Sequence, residues 1–258
     1  MIRDRNIHTS WQKAGRWYEN SVGSSGHYYH QHVVIPQTLR LLELKDHSSL
    51  LDLACGQGIL ARYLPKHVLY QGIDGATNLI GFAKSHTNNP NHQFLCADVT
   101  KQLPITKKDY SHAAIILALQ NIEKPEIAIA NISIHLGSNG IMVLVLNHPC
   151  FRIPRQSSWE IDEKNKLQYR RINRYLTPLK IPITVHPGRR FQSPVTWSFH
   201  FSISTLSNML SQNGFLIESL EEWVSDKKSE GRMARMENRG RNEFPLFLAI
   251  KARKMRIS

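Results

Sequence analysis

The 258-residue sequence predicts an α/β fold, a mostly parallel sheet with helices on both faces. Three observations carry this reading. Between residues 49 and 146, five short apolar runs alternate with helix-length segments, the pattern of repeated βαβ units. The runs are almost continuously apolar, as strands covered on both sides must be. Glycine, aspartate or asparagine closes most of them, where the chain has to turn into the next element.

Residues 1–34 mix Trp11, Trp17, Tyr18, Tyr28 and Tyr29 with Gly, Ser and His. Such a segment suits a lid that closes over a ligand, or equally a surface helix with aromatic anchors. A helix is expected over 35–44, with Pro36 in its first turn and Ile35, Leu39 and Leu42 at helical spacing. Strands follow at 49–53, 68–73, 92–96, 110–118 and 141–146, separated by helices at 59–64, 78–85 and 126–136. Residues 151–200 read as an insertion whose helical part runs from Ile161 to Tyr175. A helix at 203–212, closed by Asn213-Gly214, precedes strands at 215–220 and 247–252, with a basic loop between them. The expected organisation is a lead-in at 1–34, a core at 35–150, a basic substrate cap at 151–200 and a C-terminal completion of the core at 201–258.

Composition narrows the class. A hydrophobic content of 41% and a charged content of 21% suit a globular protein rather than a disordered one. No apolar run approaches the ~20 residues that cross a bilayer, so a cytoplasmic protein is expected. Cys55, Cys96 and Cys150 form no metal-ligand spacing and read as reduced thiols; no metal site is expected, because His27, His30 and His32 lack an acidic or thiol partner. The net charge of +13 is localised. Segments 151–200, 225–241 and 251–258 together hold 20 bases and 6 acids, and the rest of the chain holds 13 and 14.

The chemistry sits where strands end, because ligands of such sheets bind beyond the strands' carboxyl ends. Leu50-Leu51-Asp52-Leu53-Ala54-Cys55-Gly56-Gln57-Gly58 joins the first strand to a helix, and glycines at 56 and 58 let backbone lie against a ligand. Asp52 can attract a cationic ammonium. Asp74, ending the second strand, can accept hydrogen bonds from a ribose diol. Asp98, after the third, can accept from an adenine amino group or simply form a turn.

Together with Gly72-Ile73-Asp74, Ala97-Asp98-Val99 and Leu117–Asn121, this stretch resembles the cofactor motifs of class I S-adenosylmethionine (SAM) dependent methyltransferases. It is most similar to the type 11 group that includes ubiquinone and menaquinone biosynthesis methyltransferases. The resemblance covers about residues 45–148 and, more loosely, the final strand pair. It implies a Rossmann-like seven-stranded sheet whose last strand is antiparallel, with the cap inserted after the fifth strand. It also implies a SAM pocket formed by Asp52, Ala54, Cys55, Gly56, Gly58, Asp74, Gly75, Ala97, Asp98, Val99, Leu117 and Leu119. A dinucleotide-binding dehydrogenase also fits the glycine turn, with Ala61 in place of a third glycine, but not Asp52 or Asp98.

Methyl transfer requires alignment and exclusion of water, and a base only when the acceptor must lose a proton. His148, just past the fifth strand, and His30 in the lead-in are the candidate catalytic residues. Arg152, Arg170, Arg174 and Tyr29 are the candidate substrate contacts; on a helix, Arg170 and Arg174 would share one face and answer an anion, or pair with Glu160, Asp162 and Glu163. The expected activity is methylation of a small, anionic or aromatic metabolite. An RNA methyltransferase using the basic cap, loop and tail is the alternative, and a non-catalytic SAM-binding protein a further one.

Overall fold

A computed structural model describes residues 11–12, 23, 25–184 and 195–256. Its centre is a seven-stranded sheet in the order β10-β11-β5-β4-β1-β2-β3. In chain order these are β1 (Ser49–Leu53), β2 (Leu69–Asp74), β3 (His92–Cys96), β4 (Tyr110–Ile116), β5 (Leu136–Asn147), β10 (Phe215–Trp223) and β11 (Phe247–Lys254). Strands β1 to β5 run parallel, and β11 lies antiparallel between β5 and β10. This is the seven-stranded sheet, with an antiparallel last strand, that the resemblance implies.

Helices cover both faces and bury apolar side chains against the sheet. On one face α4 (Pro125–His135) and α5 (Ile203–Gln212) bury Ile129, Ile132, Leu206 and Leu210 against Leu51, Ile115 and Leu144. On the other, α1 (Ile35–Leu42), α2 (Ile59–Tyr63) and α3 (Thr77–Ser85) bury Leu42, Leu60 and Ile80 against Leu50, Ala114 and Val143. A π-helical turn, His30–Val34, leads into α1. Helix α4 starts on Pro125, whose missing N–H costs nothing there. Helix α5 is capped by the Ser202 hydroxyl, which accepts the Thr205 N–H.

Two expectations are corrected. The helix expected over 161–175 is a hairpin, β6 (Ser157–Asp162) and β7 (Leu167–Ile172), whose burial alternates with period two along β7. Its turn is held by the Asp162 carboxylate, which accepts the Asn165 N–H at 3.0 Å and its amide at 2.7 Å. A second hairpin, β8 (Leu179–Thr184) with β9 (Val195–His200), completes this stretch. The expected basic loop between the last two strands contains α6 (Ala234–Glu243).

The chain runs outward through β1, β2 and β3, then returns beside β1 as β4. A crevice opens between the carboxyl ends of β1 and β4, the switch point where such sheets bind ligands.

Candidate active site

A cavity of about 1050 Å³ opens over this switch point. Of the residues expected at a cofactor or substrate, twelve line it: Asp52, Ala54, Cys55, Gly56, Asp74, Gly75, Asp98, Val99, Leu117, Tyr29, His30 and Arg152.

The glycine turn is built on left-handed backbone. Ala54, Gly56 and Gly58 have φ of 55°, 56° and 72°. The Cys55 N–H donates to Ile73 O at 3.1 Å, tying the turn to β2, and the Gly58 N–H donates to Cys55 O at 3.0 Å. A Cβ on Gly56 would meet no atom within 4 Å, so the space above it is free for a ligand. A Cβ on Gly58 would lie 2.8 Å from the Phe94 ring, which makes Gly58 a packing requirement of the turn. Gly58 does not line the cavity; Ala97 and Leu119, also expected at the cofactor, belong to the buried core behind it.

Two carboxylates face the cavity floor. Asp74 accepts the N–H of Gly56 at 2.9 Å through Oδ2 and of Ala76 at 2.8 Å through Oδ1, leaving each oxygen a further lone pair. Burial raises its pKa against the pull of those donors. Asp52 is buried, and its Oδ2 accepts the Tyr70 hydroxyl at 2.7 Å. Its Oδ1 is buried with no hydrogen-bond partner. Desolvation pushes its pKa up to about 7; the Tyr70 hydroxyl opposes this and Asp74 adds to it. Gln57 and Gln120 also line the cavity, and their Oε1 atoms are likewise buried without partners. Three orphan acceptors on one cavity wall are costly unless a donor-rich ligand meets them.

Asp98 is a turn former: its Oδ1 accepts the Thr100 N–H at 2.9 Å and hydroxyl at 2.7 Å. It still borders the cavity. In the lead-in, His30 is buried, with an unpartnered Nδ1, and desolvation lowers its pKa to about 3 with help from His27. Tyr29 bonds Ser225 through its hydroxyl at 3.0 Å. Trp11 lines the cavity, whereas Trp17 and Tyr18 lie outside the described residues.

Three expected site residues are corrected. His148 is buried outside the cavity, and both ring nitrogens are engaged. Its Nδ1 accepts the N–H of Cys150 at 3.1 Å and Phe151 at 3.3 Å, and Nε2 donates to Glu222 at 2.6 Å. Such a ring braces a turn and has no nitrogen left for a substrate. Arg170 lies on β7, where its guanidinium donates to Ser157 Oγ at 2.7 Å and to Phe151 O, and stacks 5.0 Å over Trp159. Arg174, past the end of β7, is exposed, and neither arginine lines the cavity. Arg171 meets Glu160 at 3.7 Å, as the surface-pairing alternative expects. Burial raises the Cys55 and Cys150 thiols, so neither is poised as a nucleophile.

Sequence reasoning missed Lys180, Ile183, Thr196 and Phe199, which line the cavity from β8 and β9 beside Trp197. Their signal was the β-branched and aromatic character of 179–184 and 195–200, masked by Pro182.

Residues 51–144 match the family described as "Methyltransferase domain". No curated protein matches the chain. Among solved structures, a Mesorhizobium loti SAM-dependent methyltransferase is 24% identical, with a TM-score of 0.65 over 84% of this chain and 96% of its own. A Listeria monocytogenes protein assigned as a SAM-dependent methyltransferase is 25% identical, with a TM-score of 0.65 over 95% of this chain and 100% of its own. A Haloferax volcanii protein assigned as a methyltransferase, in complex with the Trm112 methyltransferase activator, shares the fold at 13% identity; its TM-score is 0.61 over 99% of this chain and 100% of its own. Motif, switch-point cavity and comparisons agree: residues 51–144 match a methyltransferase domain, and the chain has the seven-stranded fold of the SAM-dependent methyltransferases that it resembles.

Proposed function

We propose that the protein uses SAM to methylate a small, anionic or aromatic metabolite in the cytoplasm. The observation that carries the cofactor reading is Asp52 Oδ1, a buried carboxylate oxygen with no partner at the cavity wall. The ammonium of a methionine moiety satisfies it, and the Gln57 and Gln120 oxygens nearby suit the same donor-rich end. The spare lone pairs of Asp74 suit a ribose diol, and Gly75, Asp98, Val99 and Leu117 suit the adenine side. When bound, SAM supplies a methyl group activated by the positive charge on its sulfur.

The chain's own part is to bind, orient and exclude water. Tyr29, Phe247, Trp197 and Ile183 give the other side of the cavity apolar and aromatic walls. A walled cavity of about 1050 Å³ favours a small acceptor over RNA. His30, whose pKa burial lowers to about 3, lines the cavity as a neutral ring at pH 7.

Calorimetric titration with S-adenosylhomocysteine tests the cofactor reading. Saturable binding is expected, weakened about tenfold or more in Asp74→Ala, because an acceptor for two hydroxyls is lost. No heat of binding, or an unchanged Kd in the variant, refutes it.

A further inference from the structure

We propose that Arg152 is the docking residue for an anionic group, a carboxylate or phosphate, on the methyl acceptor. The proposal rests on the cofactor reading only for what occupies the other end of the cavity. Placement comes first. The carboxylates of Asp52 and Asp74 lie at the ends of β1 and β2, whereas Arg152 follows β5, two strands away from β1. With neighbouring strands ~4.8 Å apart, that separates β5 from β1 by roughly 10 Å, room for a small acceptor between them.

The turn that delivers Arg152 is built rather than loose. The Arg152 N–H donates to His148 O at 2.9 Å, and the buried His148 ring accepts the two preceding N–H groups of the same turn, those of Cys150 and Phe151. Glu222 on β10 holds that ring from the other side. This gives His148 a positioning role in place of the catalytic one that its sequence position suggests.

Charge comes second. Lys180, another cation on the cavity wall, is answered by Glu123 at 2.8 Å. Arg152 has no carboxylate partner among the described residues; the Tyr29 phenol is the one acidic group that influences it. Surrounding protein lowers its basicity, although its side chain remains open to the cavity. Arg170 stands close enough to be affected by its charge, and bonds Phe151 O within the same turn. Neither guanidinium is paired with a carboxylate among the described residues, and two such neighbours create a positive potential that an anion satisfies. The rings of Tyr29 and Phe247, 6.0 Å apart and near-perpendicular, border the same region and suit an apolar or aromatic body attached to that anion.

The test uses the full chain saturated with S-adenosylhomocysteine and titrated with benzoate, phenyl phosphate or the neutral isostere benzamide. Benzoate or phenyl phosphate should bind more tightly than benzamide, and whichever is preferred identifies the class of anion. Arg152→Gln should weaken that anion roughly tenfold or more, Arg152→Lys should restore part of the loss, and the S-adenosylhomocysteine Kd should stay within about twofold. The same titrations without S-adenosylhomocysteine read Arg152 independently, so a failed cofactor titration leaves this outcome distinct. Equal binding of benzoate, phenyl phosphate and benzamide, no binding of any, or anion binding indifferent to Arg152→Gln overturns the proposal. So does a variant that loses S-adenosylhomocysteine but keeps the anion, since Arg152 would then serve the cofactor.

Discussion

Replacing Asp52 by Asn sets binding against stability. Burial lifts its carboxyl to about 7 from an ordinary 3.8, so the folded protein without ligand resists ionising it. A raised folded-state pKa contributes stability that is fully present below the unfolded value. That contribution declines as pH rises from about 4 to 7 and is gone above the folded pKa. At 1.36 kcal/mol per unit, the ionisation penalty is about 1.6 kcal/mol at pH 5 and about 4 kcal/mol at pH 8. The Asn side chain keeps an oxygen to accept the Tyr70 hydroxyl and carries no charge. Asp52→Asn should therefore be the more stable protein without ligand, by a margin that grows about 2 to 3 kcal/mol between pH 5 and pH 8. For a chain of this size that growth is worth roughly 5 to 10 °C in melting temperature. His30 and His112, lowered by burial to about 3 and 4, oppose the trend below pH 6.5, where the unfolded chain takes up their protons. Subtracting variant from wild type at each pH removes their contribution. Binding runs the other way: an ammonium ligand favours ionised Asp52, so wild-type affinity for S-adenosylhomocysteine should fall about tenfold from pH 8 to pH 6. The Asn variant should bind at least about tenfold more weakly at pH 8 and lose that slope. Thermal melts over pH 5 to 8, with and without S-adenosylhomocysteine, measure both quantities. Parallel pH profiles for the two proteins, or equal binding at pH 8, refute the reasoning.

Two further outcomes follow from the turns around the site. Gly58→Ala combines a φ of 72° with a Cβ 2.8 Å from the Phe94 ring, and should destabilise by about 1–3 kcal/mol in urea unfolding. A variant as stable as the wild type would mean that the turn relaxes freely. His148→Ala removes the acceptor for two buried N–H groups and the bond to Glu222, so it should cost about 2–3 kcal/mol while leaving the S-adenosylhomocysteine Kd unchanged. Full stability with lost turnover would restore the catalytic role.

The alternating strands and helices of the core were legible because they rest on local signals. Ser49–Leu53 and His92–Cys96 are short apolar runs closed by turn formers, and the structure gives them these same bounds. Helix 203–212 was equally legible from its closing Asn-Gly. The insertion was not, because its Trp, Tyr, Ile and Arg residues fit a helix stripe or a hairpin ladder equally well until a partner strand is present. Arg170 and Arg174 follow from that ambiguity: once β7 pairs with β6, one is stacked on Trp159 and the other is exposed.

By itself the sequence determined the doubly covered sheet and the glycine turn that follows its first strand, since buried strands and tight turns depend on residues close in the chain. Only the tertiary structure decided that His148 braces a turn and that Asp52 keeps an unpartnered oxygen. It also brought Arg152 to the cavity with Tyr29 and Phe247. Those outcomes depend on contacts between residues 74, 95 or 123 positions apart, and on which polar atoms burial leaves without water. Such facts come into being only when the sheet closes its two faces.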